Sequence, residues 1–327
     1  MNPVSRRNLT IDKARLLMSI MVIAIHSRLF FTTDILFAFG VNGVFRLAVP
    51  FFFVISGFYF SSVFIVRDKA FPWFRRLLFM YFIWMIVYSP FWLDYESFDF
   101  IVWLKIIKTL LFGYHHLWFF PALILSGVMV YLARGRRSQL CYSACALFFV
   151  GVFVQYYINF HLKVSGEING YTQGSLLFLY RNFLFVGFPF FTLGYIVSTH
   201  KKIILRAHKY IYVSLFVFFV EVLFAYLNFG VDFGFDIYLT LPLVITCLFS
   251  LCYFYEQKKN NPLTSNPINI NWATLSASLY FVHPLVLFLV PQSLDTEYAF
   301  ISCVLFSLLL SFVLFKIKKT FNLKYVI

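Results

Sequence analysis

The sequence predicts an all-α, polytopic integral membrane protein with about ten transmembrane helices, and three observations predict it. Hydrophobic residues make up 61% of the 327, and mean hydropathy is +0.83. Charged residues are 12%, about half the share of a soluble domain. Lys and Arg fall in short clusters between apolar runs long enough to cross roughly 30 Å of hydrocarbon. The net charge of +14 is divided among those clusters and forms no solvated basic patch, which excludes nucleic acid as a partner.

Taken in order, the apolar runs lie at about 12–31, 47–66, 77–93, 117–133, 140–160, 176–199, 210–228, 237–255, 272–291 and 299–316. Basic clusters mark alternate connections: Arg6, Arg7, Lys13 and Arg15; Arg67, Lys69, Arg75 and Arg76; Arg134, Arg136 and Arg137. They continue with Lys201, Lys202, Arg206 and Lys209, then Lys258 and Lys259, then Lys316, Lys318, Lys319 and Lys324. The other connections are acidic, with Asp34, Asp94, Glu96, Asp99, Glu167, Asp232, Asp236, Asp295 and Glu297. The positive-inside rule then puts both termini in the cytoplasm. Phe98 to Phe112 is apolar but carries Asp99, Lys105 and Lys108. Counting it as a span would put Arg134, Arg136 and Arg137 outside, so it reads as an interfacial or re-entrant helix.

Residues 1–327 read as one membrane domain with no appended soluble domain and no cleaved leader, since the first apolar run is long and carries Arg15 and His26. The five cysteines sit inside apolar runs without metal-ligand spacing, so no metal site is expected. Asn8-Leu9-Thr10 has the glycosylation pattern but falls on the cytoplasmic side of this topology.

Ionisable groups at membrane depth point to chemistry. Arg15 and His26 are eleven residues apart, within about 20° of whole helical turns and about 16 Å along the axis, so they share a face. An imidazole at such depth faces a cavity or partner, or simply bonds a neighbouring helix; pattern alone leaves both open. Ser56-Gly57 in the second run permits close helix approach, and that packing seam is the plainer reading of the pair. Arg75-Arg76 either anchor a helix at the headgroups or clamp phosphates through bidentate hydrogen bonds. His115-His116-Leu117-Trp118 opens the fourth run as an interfacial aromatic belt or as a substrate contact; neighbouring histidines point to different helix faces. Glu221 lies mid-run and needs a partner or a wet cavity; Arg28, Arg46 and Arg181 are candidate partners. His283 lies in a later run just before Pro284.

Read in register, these stretches are Arg15-x10-His26, Pro-Phe-Phe-Phe-Val-Ile-Ser-Gly-Phe from Pro50, Arg75-Arg76, Leu-Trp-Phe-Phe-Pro-Ala-Leu from Leu117, and Ser-Leu-Tyr-Phe-Val-His-Pro from Ser278. Together they resemble the membrane-bound acyltransferase 3 family, which includes bacterial O-acetyltransferases of O-antigens, capsules and exopolysaccharides. The resemblance runs from about residue 8 to about residue 290. It implies transfer of an acetyl or other acyl group from cytoplasmic acetyl-CoA to a glycan hydroxyl, at the inner membrane of a bacterium. It also implies that Arg15 and His26 are the family's essential pair and Arg75 and Arg76 its basic loop. Some members space the loop arginines three apart, whereas here Phe79 stands three after Arg76. Many relatives carry an esterase-like domain after the helices; without one, this chain is expected to act alone or with a separate polysaccharide-assembly protein.

A sugar hydroxyl needs a base to become a nucleophile, and His26, with an ordinary imidazole pKa near 6.5, suits that role. Ser56, His116, Trp118, Glu221 and His283 are candidates to contact substrate or the developing oxyanion. Arg15, Arg75 and Arg76 would hold the donor's phosphates, and the acceptor would be a lipid-linked or polymeric glycan. A transporter or flippase for a glycan or small anion is the alternative, since the same residue types line substrate pathways.

Overall fold

The computed structural model describes residues 9–65, 69–93, 99–166, 173–200, 206–231, 233–258, 271–291 and 293–320, with no strand among them. In chain order the α-helices are α1 (Leu9–His26), α2 (Asp34–Phe39), α3 (Ala48–Ile65), α4 (Ala70–Val87), α5 (Ser89–Trp92), α6 (Phe100–Phe112), α7 (Phe119–Leu132) and α8 (Arg137–Ser165). They continue as α9 (Gln173–Tyr180), α10 (Phe188–Thr199), α11 (Ile211–Phe229), α12 (Leu241–Lys258), α13 (Trp272–Leu289) and α14 (Thr296–Thr320). Apart from the last few residues, the chain divides into two compact units, residues 1–52 with 200–322, and residues 53–199.

Among the described residues, seven segments are long and apolar enough to cross a membrane: Asp34–Ser62, Ala70–Val87, His115–Leu132, Arg137–Ser165, Ala207–Phe229, Trp272–Leu289 and Thr296–Lys318. The chain is thus a multi-pass membrane protein, and seven of the about ten expected runs are long and apolar enough to cross among the described residues. The remaining three expected runs do form helices, each with a physical reason for falling short. α1 packs Asp12, Lys13 and Arg15 into 18 residues, and α12 ends on Glu256-Gln257-Lys258. The run expected at 176–199 is interrupted at Asn182. The Asn182 side chain accepts from the backbone N–H groups of Leu184 and Phe185 (2.9 and 3.1 Å) and donates to the carbonyls of Phe178 and Leu179 (3.0 and 3.1 Å). It caps α9 and also starts the π-turn Phe183–Gly187 that leads into α10. Charges and signals assigned to Arg6, Arg7, Asn8, Arg67, Asp94, Glu96, Glu167, Lys201, Lys202, Asp232, Lys259 and Lys324 lie outside the described residues.

In the first unit, α1 stops at His26, earlier than the apolar run to Phe31 suggests. The backbone N–H of Leu29 reaches the carbonyl of Ala24 (3.0 Å) and that of Arg28 reaches Ile25 (3.2 Å), the paired bonds of a Schellman ending. Arg28 takes the left-handed position usually given to glycine, at φ 53°. The apolar contact that accompanies this ending forms too, because Ala24 and Leu29 are buried in one cluster with Phe37 and Val41.

Hydrogen bonds give the direction of the helices around α1. Thr10 donates to the Glu256 carboxylate through both its backbone N–H (2.8 Å) and its hydroxyl (2.7 Å), so α12 ends where α1 begins. Near that end Ser276 Oγ donates to the Arg15 carbonyl (2.9 Å), while Ser19 and Ser276 hydroxyls meet at 2.7 Å. Further along, His26 meets His283, so α1 and α13 run parallel. α14 packs beside them through Ile23, Leu279, Val286 and Cys303. Buried serines suit such a crossing, because short polar side chains let helices approach while their hydroxyls are satisfied.

Two polar devices support the far end of this unit. Arg46 pairs with Asp236 and donates to the Val41 carbonyl (3.0 Å), and the Tyr238 hydroxyl donates to the Asn42 carbonyl. Glu221 has a partner of a different kind from the arginines considered. Its carboxylate accepts from the backbone N–H groups of Leu239 (2.6 Å) and Thr240 (2.9 Å) and from the Thr240 hydroxyl (2.6 Å). A carboxylate at the start of α12 offsets orphan N–H groups and the positive end of the helix dipole.

In the second unit, Gly57 of α3 and Gly194 of α10 form a reciprocal close approach. A methyl group on Gly57 would stand 1.9 Å from the Phe191 carbonyl oxygen, and one on Gly194 would stand 2.0 Å from that of Val54. Phe60, Trp73 and Phe191 pack beside this crossing, with Phe60 4.5 Å from Trp73 and 5.2 Å from Phe191 between ring centroids. α6 takes up the stretch expected to be interfacial or re-entrant. Its 13 residues are about 20 Å long, too short to span, and Asp99 caps its start by accepting from the Val102 N–H (2.8 Å).

Candidate active site

Two separate groups of candidate residues emerge, one in each unit. In the first, His26 occupies the last turn of α1 and is half-buried. Its ring lies 5.2 Å from that of His283, centroid to centroid, with planes 36° apart. His283 is fully buried within α13. Its Nδ1 lies 3.0 Å from the Leu279 carbonyl, and its own carbonyl accepts from the Cys303 thiol at 3.5 Å. Tyr280, one helical turn before His283, has its ring 6.2 Å away. The negative end of a helix dipole extends over the last turn, where a transient imidazolium is best tolerated.

Arg15 lies three turns earlier on α1, half-buried, with its guanidinium 3.9 Å from the Asp12 carboxylate. The shared face of Arg15 and His26 follows from continuous helix between them. Ser276 braces this segment by bonding the Arg15 carbonyl, a contribution the sequence motifs do not announce. Glu221 is tied to the start of α12 and serves that helix end.

In the second unit, Arg75 and Arg76 are exposed in the first part of α4. Ser56 is half-buried beside Gly57 at the α3–α10 crossing. The turn before α7 collects aromatic rings. His116 is buried with its ring 5.0 Å from Tyr88, and Trp118 lies 6.3 Å from Phe53. The guanidinium of Arg181 stands 5.6 Å from the Trp118 ring, a cation–π contact sequence reading missed because 63 residues separate the two. His115 holds a left-handed backbone (φ 49°) just after Gly113 (φ 83°), where an added methyl would come within 2.6 Å of the Trp118 nitrogen. Such strain on a non-glycine residue persists only where the surroundings enforce it.

Chemically, the first group offers paired imidazoles inside an apolar bundle with a cation on the same helix. The second offers aromatic faces, an arginine and two exposed guanidiniums. Among the described residues, no group of three or more His, Cys, Asp or Glu could hold a metal ion.

Comparison with known proteins bears on this arrangement. The chain is 27% identical over 299 residues to a serine/alanine racemase from Enterococcus gallinarum, a match covering 85% of this chain and 40% of that protein. It is 26% identical over 277 residues to an amino-acid racemase from Enterococcus faecalis, covering 77% and 37% respectively. The chain thus spans well under half the length of these relatives. No solved structure gives a significant match. A family model described as an acyltransferase domain matches residues 8–316, from the start of α1 almost to the end of α14. The chain belongs to the acyltransferase 3 family.

Proposed function

We propose that this protein is a membrane O-acyltransferase that moves an acetyl group from cytoplasmic acetyl-CoA to a hydroxyl of a surface glycan such as O-antigen or exopolysaccharide. The observation that carries the reading is His26, placed in the last turn of α1 on the face it shares with Arg15. His26 takes the proton of the acceptor hydroxyl as the new O–C bond forms at the thioester carbon. The C–S bond then breaks, and the imidazolium returns its proton to the leaving thiolate. General-base help of this kind is worth about 10²–10⁴-fold in rate. Arg75 and Arg76 are assigned to the donor's phosphates, for which guanidinium geometry is suited. His116 and Trp118 are assigned to the acceptor sugar, and Ser56 to the oxyanion. The setting is the inner membrane of a bacterium, with cytoplasmic termini and a lipid-linked or polymeric acceptor.

Racemisation is not carried over from the relatives' names, since at 27% identity the match covers 40% of the longer protein. The test uses inverted membrane vesicles, acetyl-CoA labelled in the acetyl group, and a glycan acceptor. Label appearing on the glycan supports the acyltransferase. Glycan or anion uptake without label transfer would establish the transporter alternative.

A further inference from the structure

We infer that His283 is the positioning residue for His26, its fixed ring packing against the base and its Nε2 offering an acceptor beside it; this rests on the acyltransferase reading. A carbonyl oxygen only accepts hydrogen bonds. The 3.0 Å contact between Nδ1 of His283 and the Leu279 carbonyl therefore requires the hydrogen to sit on Nδ1. That assigns the tautomer: neutral His283 carries its lone pair on Nε2. Three restraints hold the ring. Its Nδ1 is tied to the preceding turn of α13, its backbone carbonyl accepts from Cys303 on α14, and its side chain is completely buried. The helix it sits on is joined to α1 by Ser19 and Ser276 two turns below.

The His26 ring rests 5.2 Å from this fixed imidazole. A histidine used as a base must present one particular nitrogen to the substrate, and the group facing its other nitrogen decides which. Carboxylates commonly hold catalytic histidines in this way. A second imidazole of fixed tautomer does the same without adding a buried negative charge. The α1–α13 contact is thus a device for orienting the base as well as a packing seam. It also explains a serine clasp at the same crossing, since a sub-ångström slide of one helix would misdirect His26.

Two substitutions separate this role from simple packing. His283→Gln keeps a side-chain acceptor and loses ring volume; His283→Phe keeps the ring and loses the acceptor. Positioning predicts that transfer by the Phe variant falls at least tenfold in kcat with the KM for acetyl-CoA unchanged, while the Gln variant retains several times more activity. The reverse order, or a Phe variant as active as wild type, overturns the proposal. A readout independent of turnover is the side-chain ¹⁵N spectrum of histidine-labelled protein in detergent, assigned by single substitutions. The expected result is a protonated Nδ1 and bare Nε2 on His283, with His26 signals that move in His283→Phe. A protonated Nε2 on His283, or His26 signals indifferent to the substitution, overturns it. Wild-type protein that transfers no label but shows the expected spectrum would remove the acyltransferase reading while leaving the orienting pair.

Discussion

The two histidine-bearing regions are built on opposite principles. In the first unit, His26 and His283 sit on helices of 18 residues each, pinned by buried serines and a thiol. In the second, His115 and His116 sit in a single-turn 3₁₀ helix with a left-handed residue, against the rings of Tyr88 and Tyr114. Long paired helices fix a side chain to a fraction of an ångström, which proton transfer requires. A turn lined by ring faces tolerates small displacements and suits the stacking of an apolar sugar face. The contrast teaches where to look for chemistry and where for recognition.

That division can be broken by experiment, beginning with the largest expected effect. His26→Ala should lower kcat for label transfer by at least about 100-fold, the range for loss of a general base. His116→Ala should cost less than tenfold and act on the acceptor KM. A larger effect at His116 than at His26 would reverse the assignment. Arg75→Ala combined with Arg76→Ala should raise the KM for acetyl-CoA about tenfold with kcat little changed, consistent with about 1.5 kcal/mol for a lost charged hydrogen bond. An unchanged donor KM would make these arginines headgroup anchors.

Stability effects sharpen the comparison further. Gly57→Ala should destabilise the second unit by about 1–3 kcal/mol, read as a lower thermal midpoint in detergent, because the new methyl meets the Phe191 carbonyl. Ser276→Ala should cost about 0.6–1 kcal/mol, the usual worth of a hydrogen bond between membrane helices. Its effect on kcat should exceed its effect on stability if the α1–α13 register aims His26.

Much of this architecture was legible in composition and pattern. Apolar runs marked the helices, Ser56-Gly57 marked a close crossing that Gly57 makes against Phe191, and the charges in 98–112 announced a segment that does not span. The end of α1 was not legible, because Arg28 stands where a Schellman ending normally signals itself with glycine. The interruption at 181–182 depends on one asparagine bonding both ways, and a lone Asn in an apolar run gives no warning of that. The sequence named no partner for Glu221 beyond candidate arginines, because a carboxylate can be satisfied as well by backbone N–H groups, which every residue but proline supplies. His26 and His283 were each visible as intramembrane imidazoles. Their contact, across 257 positions of sequence, is a product of packing that no local pattern encodes.

The central claim is that His26 drives acyl transfer to a glycan. Mass spectrometry and proton NMR of surface glycan, from cells carrying wild-type protein, His26→Ala at equal membrane abundance, or no protein, test it most directly. The account predicts an acetyl signal with wild type that is lost both with the variant and without the protein. An undiminished acetyl signal with His26→Ala would contradict it.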